Sequence, residues 1–193
     1  MIDSNLLRGE RLWLTALSRA DAYVMSRWEY DSDYLRLMDS SPARPRTEDE
    51  IARWLDSTTK AHNEFTFGIR LIDDDELIGW AQLDGVEWTH RTSALGIGIG
   101  NRSFWDHGYG TEAVTLLLNF AFNELNLHRV FLTVFSYNQR AIHVYENLGF
   151  QREGVFREHL QRDGQRHDML LYGLLSREWA ARQTGHTSSS ELS

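Results

Sequence analysis

The stretch that decides the reading runs from Trp105 to Ala113, WDHGYGTEA. Two glycines, Gly108 and Gly110, lead straight into a run whose apolar residues recur at helical spacing: Val114, Leu117, Leu118, Ala121, Phe122 and Leu125. That i, i+3, i+4, i+7 pattern predicts a helix with one buried face. Glycines at its entrance let the backbone approach a ligand closely. The first turn of any helix offers unpaired N–H groups at the positive end of the dipole. Loop and helix together predict an anion site, and phosphate is its natural occupant.

Which phosphate is a question of context. The nucleotide loop G-x-x-x-x-G-K-[ST] is absent. The dinucleotide fingerprint G-x-G-x-x-G/A is met literally by Gly108, Gly110 and Ala113, but its surroundings are wrong. Residues Asn101 to His107 intervene between the preceding strand and the glycines, and the following strand VFLTVF ends at Ser136 with no acid to hold a ribose. The earlier string Gly96, Gly98, Gly100 has Ser103 where a third motif glycine would fall.

Outward from the loop, the period alternates between strand and helix. Arg11–Leu17, Phe65–Ile72, Leu77–Val86, the glycine-rich Ala94–Gly100 and Val130–Phe135 read as strands. Phe150–Leu160 and Arg166–Leu174 flank the turn pair Asp163-Gly164 and read as a hairpin. Ser18 is placed to cap a helix through Ala22, Met25 and Trp28. Thr47 and Glu50 form a capping box ahead of Ile51, Trp54 and Leu55. A short helix led by Asn138 should end at Gly149 in the left-handed cap position. Mixed strands and helices with antiparallel hairpins at both ends give the expectation of an α+β fold, as one domain over residues 6–182. Residues 183–193, small and polar, should form a disordered tail.

Composition narrows the function. Of 193 residues none is cysteine, which removes disulfides, thiolate metal sites and a cysteine nucleophile, and fits a cytoplasmic location. The net charge of -8 disfavours nucleic acid, whose binding wants a basic footprint. No apolar run is long enough to span a membrane. The acidic run Asp73–Glu76 lacks the spacing of a calcium loop, and no histidine set has metal-ligand spacing, so no metal is expected.

Two motifs carry a resemblance. The first is Trp105, Gly108, Tyr109, Gly110, Thr111, Glu112, Ala113; the second is Asn138, Ala141, Tyr145, Gly149, Phe150, with one strand between them. Together they resemble the GNAT family of acyl-CoA-dependent N-acyltransferases over nearly the whole chain. The branch of ribosomal-protein N-terminal and polyamine acetyltransferases is the nearest. The resemblance implies the GNAT fold, with six or seven strands in a mixed, splayed sheet, about four helices and the splay between ALGIGIG and VFLTVF, and acetyl-CoA as co-substrate. It implies an amine acceptor, such as a peptide N-terminus, a polyamine or another small amine, and a homodimer. Backbone amides of His107, Gly108, Tyr109, Gly110 and Thr111 would cradle the pyrophosphate. Ile97, Gly98 and Ile99 would pair with the pantetheine arm. Asn138, with Ala141 in its motif, would bond nearby, and Tyr145 would lie at the cofactor sulfur. His107 stands where the family often has Lys or Arg, so the diphosphate would meet less charge there.

Acyl transfer to an amine needs a neutral amine, a stabilised oxyanion and a protonated leaving thiolate. A backbone N–H near Ile99 suits the second need and the Tyr145 phenol the third. Without cysteine, attack is direct, in a ternary complex. Asp84 and Glu87 are candidates to deprotonate the amine or position a water, and no base is singled out. Glu112 is read as support for the loop. Trp28, Tyr34 and Trp54 are expected to wall the acceptor site. The alternative reading is a non-catalytic acyl-CoA-binding module on the same fold.

Overall fold

The computed structural model describes residues 5–58 and 60–190. Strands β1 (Leu12–Ala16), β2 (Phe65–Leu71), β3 (Leu77–Glu87), β4 (Thr92–Ile99), β5 (Arg129–Phe135), β6 (Gln151–Arg162) and β7 (Gln165–Leu175) form one sheet in the order β1-β2-β3-β4-β5-β7-β6. Every pairing is antiparallel except β4 with β5. The helices are α1 (Asp21–Trp28), α2 (Ser32–Met38), α3 (Glu48–Thr58), α4 (Tyr109–Asn119), α5 (Gln139–Asn147) and α6 (Ser176–Ser190). No helix among the described residues is long and apolar enough to cross a membrane.

Side chains alternate across the strands, so each sheet face builds its own core. On one face Ala81, Leu83 and Leu132 meet Val114, Leu117 and Leu118 of α4, the stripe read from the sequence. On the other, Trp80 meets Met25 of α1, Tyr34 of α2 and Ile51 and Leu55 of α3. The Thr47–Glu50 capping box forms as expected: Thr47 N–H donates to Glu50 Oε2 (2.8 Å) and Glu50 N–H to Thr47 Oγ1 (3.2 Å). Gly149 takes φ 95°, and Asp163 and Gly164 take φ 49° and 76°, the paired left-handed geometry of a tight hairpin.

Three expectations change. The described residues form six α-helices rather than about four. Helix α2 is seven residues capped by Asp31, whose Oδ1 accepts from Asp33 N–H (2.9 Å) and Tyr34 N–H (3.3 Å); only Tyr34 is buried, too little for a periodic signal. Ser18 does not cap α1. Instead the Asp21 carboxylate reaches back to Ser18 N–H (2.8 Å) and Oγ (3.0 Å). Helix α6 docks through Trp179, whose Nε1 donates to Asn119 Oδ1 (3.0 Å), and continues helical to Ser190 where a tail was expected from residue 183. Residues 191–193 of that expected tail lie outside the described residues.

The bend after β4 depends on Gly100. A Cβ added there would overlap the Trp28 indole, which packs directly on that backbone. Gly100→Ala should therefore destabilise the fold by about 2–3 kcal/mol through overpacking, read as a lower denaturation midpoint. An unchanged midpoint would mean that Trp28 does not pack there.

Candidate active site

Strands β4 and β5 pair over three positions only, from Thr92↔Arg129 to Ala94↔Phe131. Beyond that each keeps its outer partner, β3 or β7, and the inner edges part. This is the splay predicted between the two strands. Antiparallel ladders alternate bonded and non-bonded pairs. Gly100 N–H donates to Ile78 O (2.8 Å), so Gly98 with Trp80 and Gly96 with Gln82 are the bonded pairs. The backbone groups of Ile97 and Ile99 therefore face the opening. The Ile99 carbonyl accepts from the Trp105 Nε1–H at 2.8 Å.

Of the three residues expected to meet a pantetheine arm, Ile97 and Ile99 have the free edge and Gly98 does not. Gly98 has a different task. A Cβ on it would come within 2.8 Å of both Trp80 Nε1 and Met38 Sδ, so its bareness lets Trp80 lie over β4.

A cavity of about 800 Å³ runs through the splay from one sheet face to the other. At one end stands the start of α4. Gly108, at φ 81°, is its N-cap, and Gly108, Gly110 and Thr111 line the cavity. The amides of Tyr109, Gly110 and Thr111 have no acceptor within the helix. A Cβ on Gly110 would meet nothing within 4 Å. Glu112 holds this loop to β1, accepting from the backbone N–H of Arg11 (2.8 Å) and Leu12 (3.3 Å) and from Arg11 Nε (2.9 Å). Arg11 completes the clamp, donating to His107 O (2.8 Å) with its guanidinium over the Tyr109 ring. Glu112 is thus the loop support that its first-turn position suggested.

His107 stacks on Tyr109, with Nδ1 2.7 Å from Trp105 O, and does not line the cavity. The cation that does is Arg140, which sequence reasoning missed. It sits in the first turn of α5 between Asn138 and Ala141, pairs with Asp106 (2.9 Å) and covers the Trp105 ring. Its place inside the second motif was the available signal.

Asn138 and Ala141 both line the cavity, but the Asn138 oxygen is committed to capping α5 by accepting Ala141 N–H (3.2 Å). Tyr145, one of the lining residues, is 7% exposed and packs edge-on to Phe150. Among the described residues its hydroxyl has no hydrogen-bond partner. Burial pushes its pKa up from the 10.0 of a free phenol, so the group stays protonated through the neutral range.

The other end of the cavity opens on the α1–α3 face. Tyr34 lines it, accepting from Trp80 Nε1 (3.0 Å), and burial pushes its pKa up to about 12. Trp28 and Trp54, expected as walls, lie one layer behind: Trp28 packs edge-on to Tyr34 and Trp54 edge-on to Trp80. Asp84 and Glu87 do not line the cavity either. They pair with Ala94 and Thr92, where β4 and β5 are still zipped, so they sit at the closed end of the splay. No cluster of three His, Asp or Glu among the described residues is arranged to hold a metal ion.

This geometry has known counterparts. The acetyltransferase (GNAT) domain family model matches residues 11–151. The uncharacterized N-acetyltransferase p20 of Bacillus licheniformis is 27% identical over 172 residues, covering 89% of this chain and 96% of its own length. The ribosomal protein uS5-alanine N-acetyltransferase of Escherichia coli K12 is 30% identical over 122 residues, 62% of each chain. In fold, the chain is similar to a spermidine N-acetyltransferase from Vibrio cholerae solved with CoA and spermine, with a TM-score of 0.79 at 24% identity over 88% of this chain and 98% of that one. With the family model matched from β1 to the start of β6, the chain belongs to the GNAT acetyltransferases.

Proposed function

We propose that the protein transfers an acetyl group from acetyl-CoA to a primary amine, on a protein N-terminus or a small molecule, by direct attack in a ternary complex. One observation carries this reading: a single cavity crosses the sheet, with a helix N-terminus and a free strand edge on one side and the buried Tyr145 phenol in its wall. The first-turn amides of α4 and the Arg140 guanidinium suit a diphosphate. The unpaired edge at Ile97 and Ile99 suits an extended amide-bearing arm, which would complete the ladder that β5 leaves open.

In the step itself the amine nitrogen forms a bond to the thioester carbonyl carbon, and the carbon–sulfur bond breaks. The carbonyl oxygen carries the transient charge, and the Ile99 N–H is the donor placed to face it. The thiolate takes its proton from Tyr145, and the amine loses one proton to water. The phenol is then recharged from solvent. A raised pKa is the right sign for this role, because the acid must be protonated when the amine is neutral.

Two variants test the parts separately. Gly110→Asp puts a carboxylate into open space at the anion site, so acetyl-CoA affinity should fall about tenfold or more. The fold should not suffer, since an acid in the first helical turn is favourable. Unchanged affinity would move the diphosphate elsewhere. Tyr145→Phe should lower kcat about a hundredfold with little change in acetyl-CoA affinity. In the unmodified protein no alkaline loss of rate should set in before pH 10. An unchanged kcat in the variant would return Tyr145 to the core. Tight acetyl-CoA binding with no turnover on any amine would favour the non-catalytic module.

A further inference from the structure

We infer that the acceptor is a single primary amine carried on an apolar or aromatic body, and not a polycation. The inference rests on the acetyl-transfer reading and concerns the half of the cavity on the α1–α3 face. There the wall is made by Tyr34, Met38, Trp80, Phe131, Phe135 and Met169. Alternation places them together: Leu132 and Val134 belong to the α4 core, so Phe131 and Phe135 of β5 point the other way, and Met169 pairs with Phe135 across β7.

A chain with several ammonium groups needs a partner for each one that it buries. One ammonium can rest against an aromatic face, but further charges need carboxylates. Of the described residues lining the cavity only Asp39 and Asp106 are acidic. Asp106 stands on the α4 loop and is paired with Arg140. That leaves Asp39, just past the end of α2. Ser41 N–H donates to its Oδ1 (2.6 Å) and holds its carboxyl below the usual range, so it is charged at neutral pH.

Several acids near this face are held by other partners. Glu29, 2% exposed, accepts from Arg46 N–H (2.5 Å) and Nε (2.7 Å). Asp31 and Asp33 hold Arg102, and Asp163 pairs with Arg36 (2.6 Å). At the closed end, burial and a hydrogen bond with Asp84 push the Glu64 carboxyl up. Among the described residues, the carboxylate that lines this wall is that of Asp39.

The wall is also fixed in place. Tyr137 Oη donates to Arg36 O (2.5 Å), and Arg162 Nη2 donates to Asp39 O (3.0 Å) and Ser41 O (2.9 Å), so β5 and the β6–β7 hairpin clasp α2 and its loop. A different acid does not swing in without breaking these bonds. Gln82, also in the lining, contributes a neutral amide on the same face as Trp80.

The test is steady-state thiol release by the full chain at saturating acetyl-CoA, with acetyl-CoA binding measured separately by calorimetry. The acceptors are 2-phenylethylamine, a Phe-Ala-Gly tripeptide, putrescine and spermidine. One of the first two should exceed spermidine in kcat/KM by about tenfold or more, and which of them does so distinguishes a small amine from a chain N-terminus. Putrescine or spermidine equal to or better than both would overturn the inference while leaving acetyl transfer standing. Binding of acetyl-CoA with no amine used overturns it as well, and absence of binding removes acetyl transfer with it. The isosteric Gln82→Glu adds a carboxylate to this wall and should raise the spermidine to 2-phenylethylamine ratio about tenfold. An unchanged ratio would place the acceptor away from this wall and contradict the inference.

Discussion

A parallel strand pair that stops after three residues leaves backbone groups without partners in the middle of a sheet. Buried amides and carbonyls left unpaired cost free energy comparable to a lost hydrogen bond. Here the parting of β4 from β5 exposes the inner edge at Ile97 and Ile99 to a cavity, while their neighbours Gly96 and Gly98 stay in the β3 ladder. In the proposed reading a ligand completes the sheet at this edge. The start of α4, fixed to β1 by Glu112 and Arg11, is where that reading puts the anionic end of the ligand. The Trp105 indole ties the end of β4 to the loop.

The two ends of the cavity differ because the two sheet faces do. On the α4 face the lining combines helix amides, a guanidinium and a phenol, groups that recognise phosphate and hold a proton. On the α1–α3 face it is aromatic and thioether. Trp80 anchors the wall on the α1–α3 face. It lies on β4 because Gly98 has no side chain, is held by the Tyr34 hydroxyl, and is backed by Trp54. Two glycines of the β4 string thus serve tryptophans rather than a cofactor: Gly98 accommodates Trp80 and Gly100 accommodates Trp28.

Much of this was legible in the residues. The strands were placed within two residues of their observed bounds, because each alternates cleanly and is closed by a turn of recognisable chemistry. The α4 stripe and the Thr47–Glu50 box are local patterns with local causes. What could not be read was anything set by packing at a distance. Helix α2 rests on one buried tyrosine and one aspartate cap, and α6 on a tryptophan that finds Asn119 sixty residues away in sequence. Asp84 and Glu87 fall near the acceptor in chain order. Only the pairing of β3 with the zipped part of β4 shows that they stand at the closed end. His107 lies inside the motif and turns outward, whereas Arg140 from another helix turns in.

The central claim is that an acyl-CoA completes the open edge of β4 at the splay. Residue-resolved amide hydrogen exchange with and without coenzyme A tests it most directly. The account predicts strong slowing at Ile97 and Ile99 and at the α4 entrance from Tyr109 to Thr111, with little change at Gly98, whose amide is already in the β3 ladder. Protection of Gly98 alone, or no change at Ile97 and Ile99 under saturating coenzyme A, would contradict it.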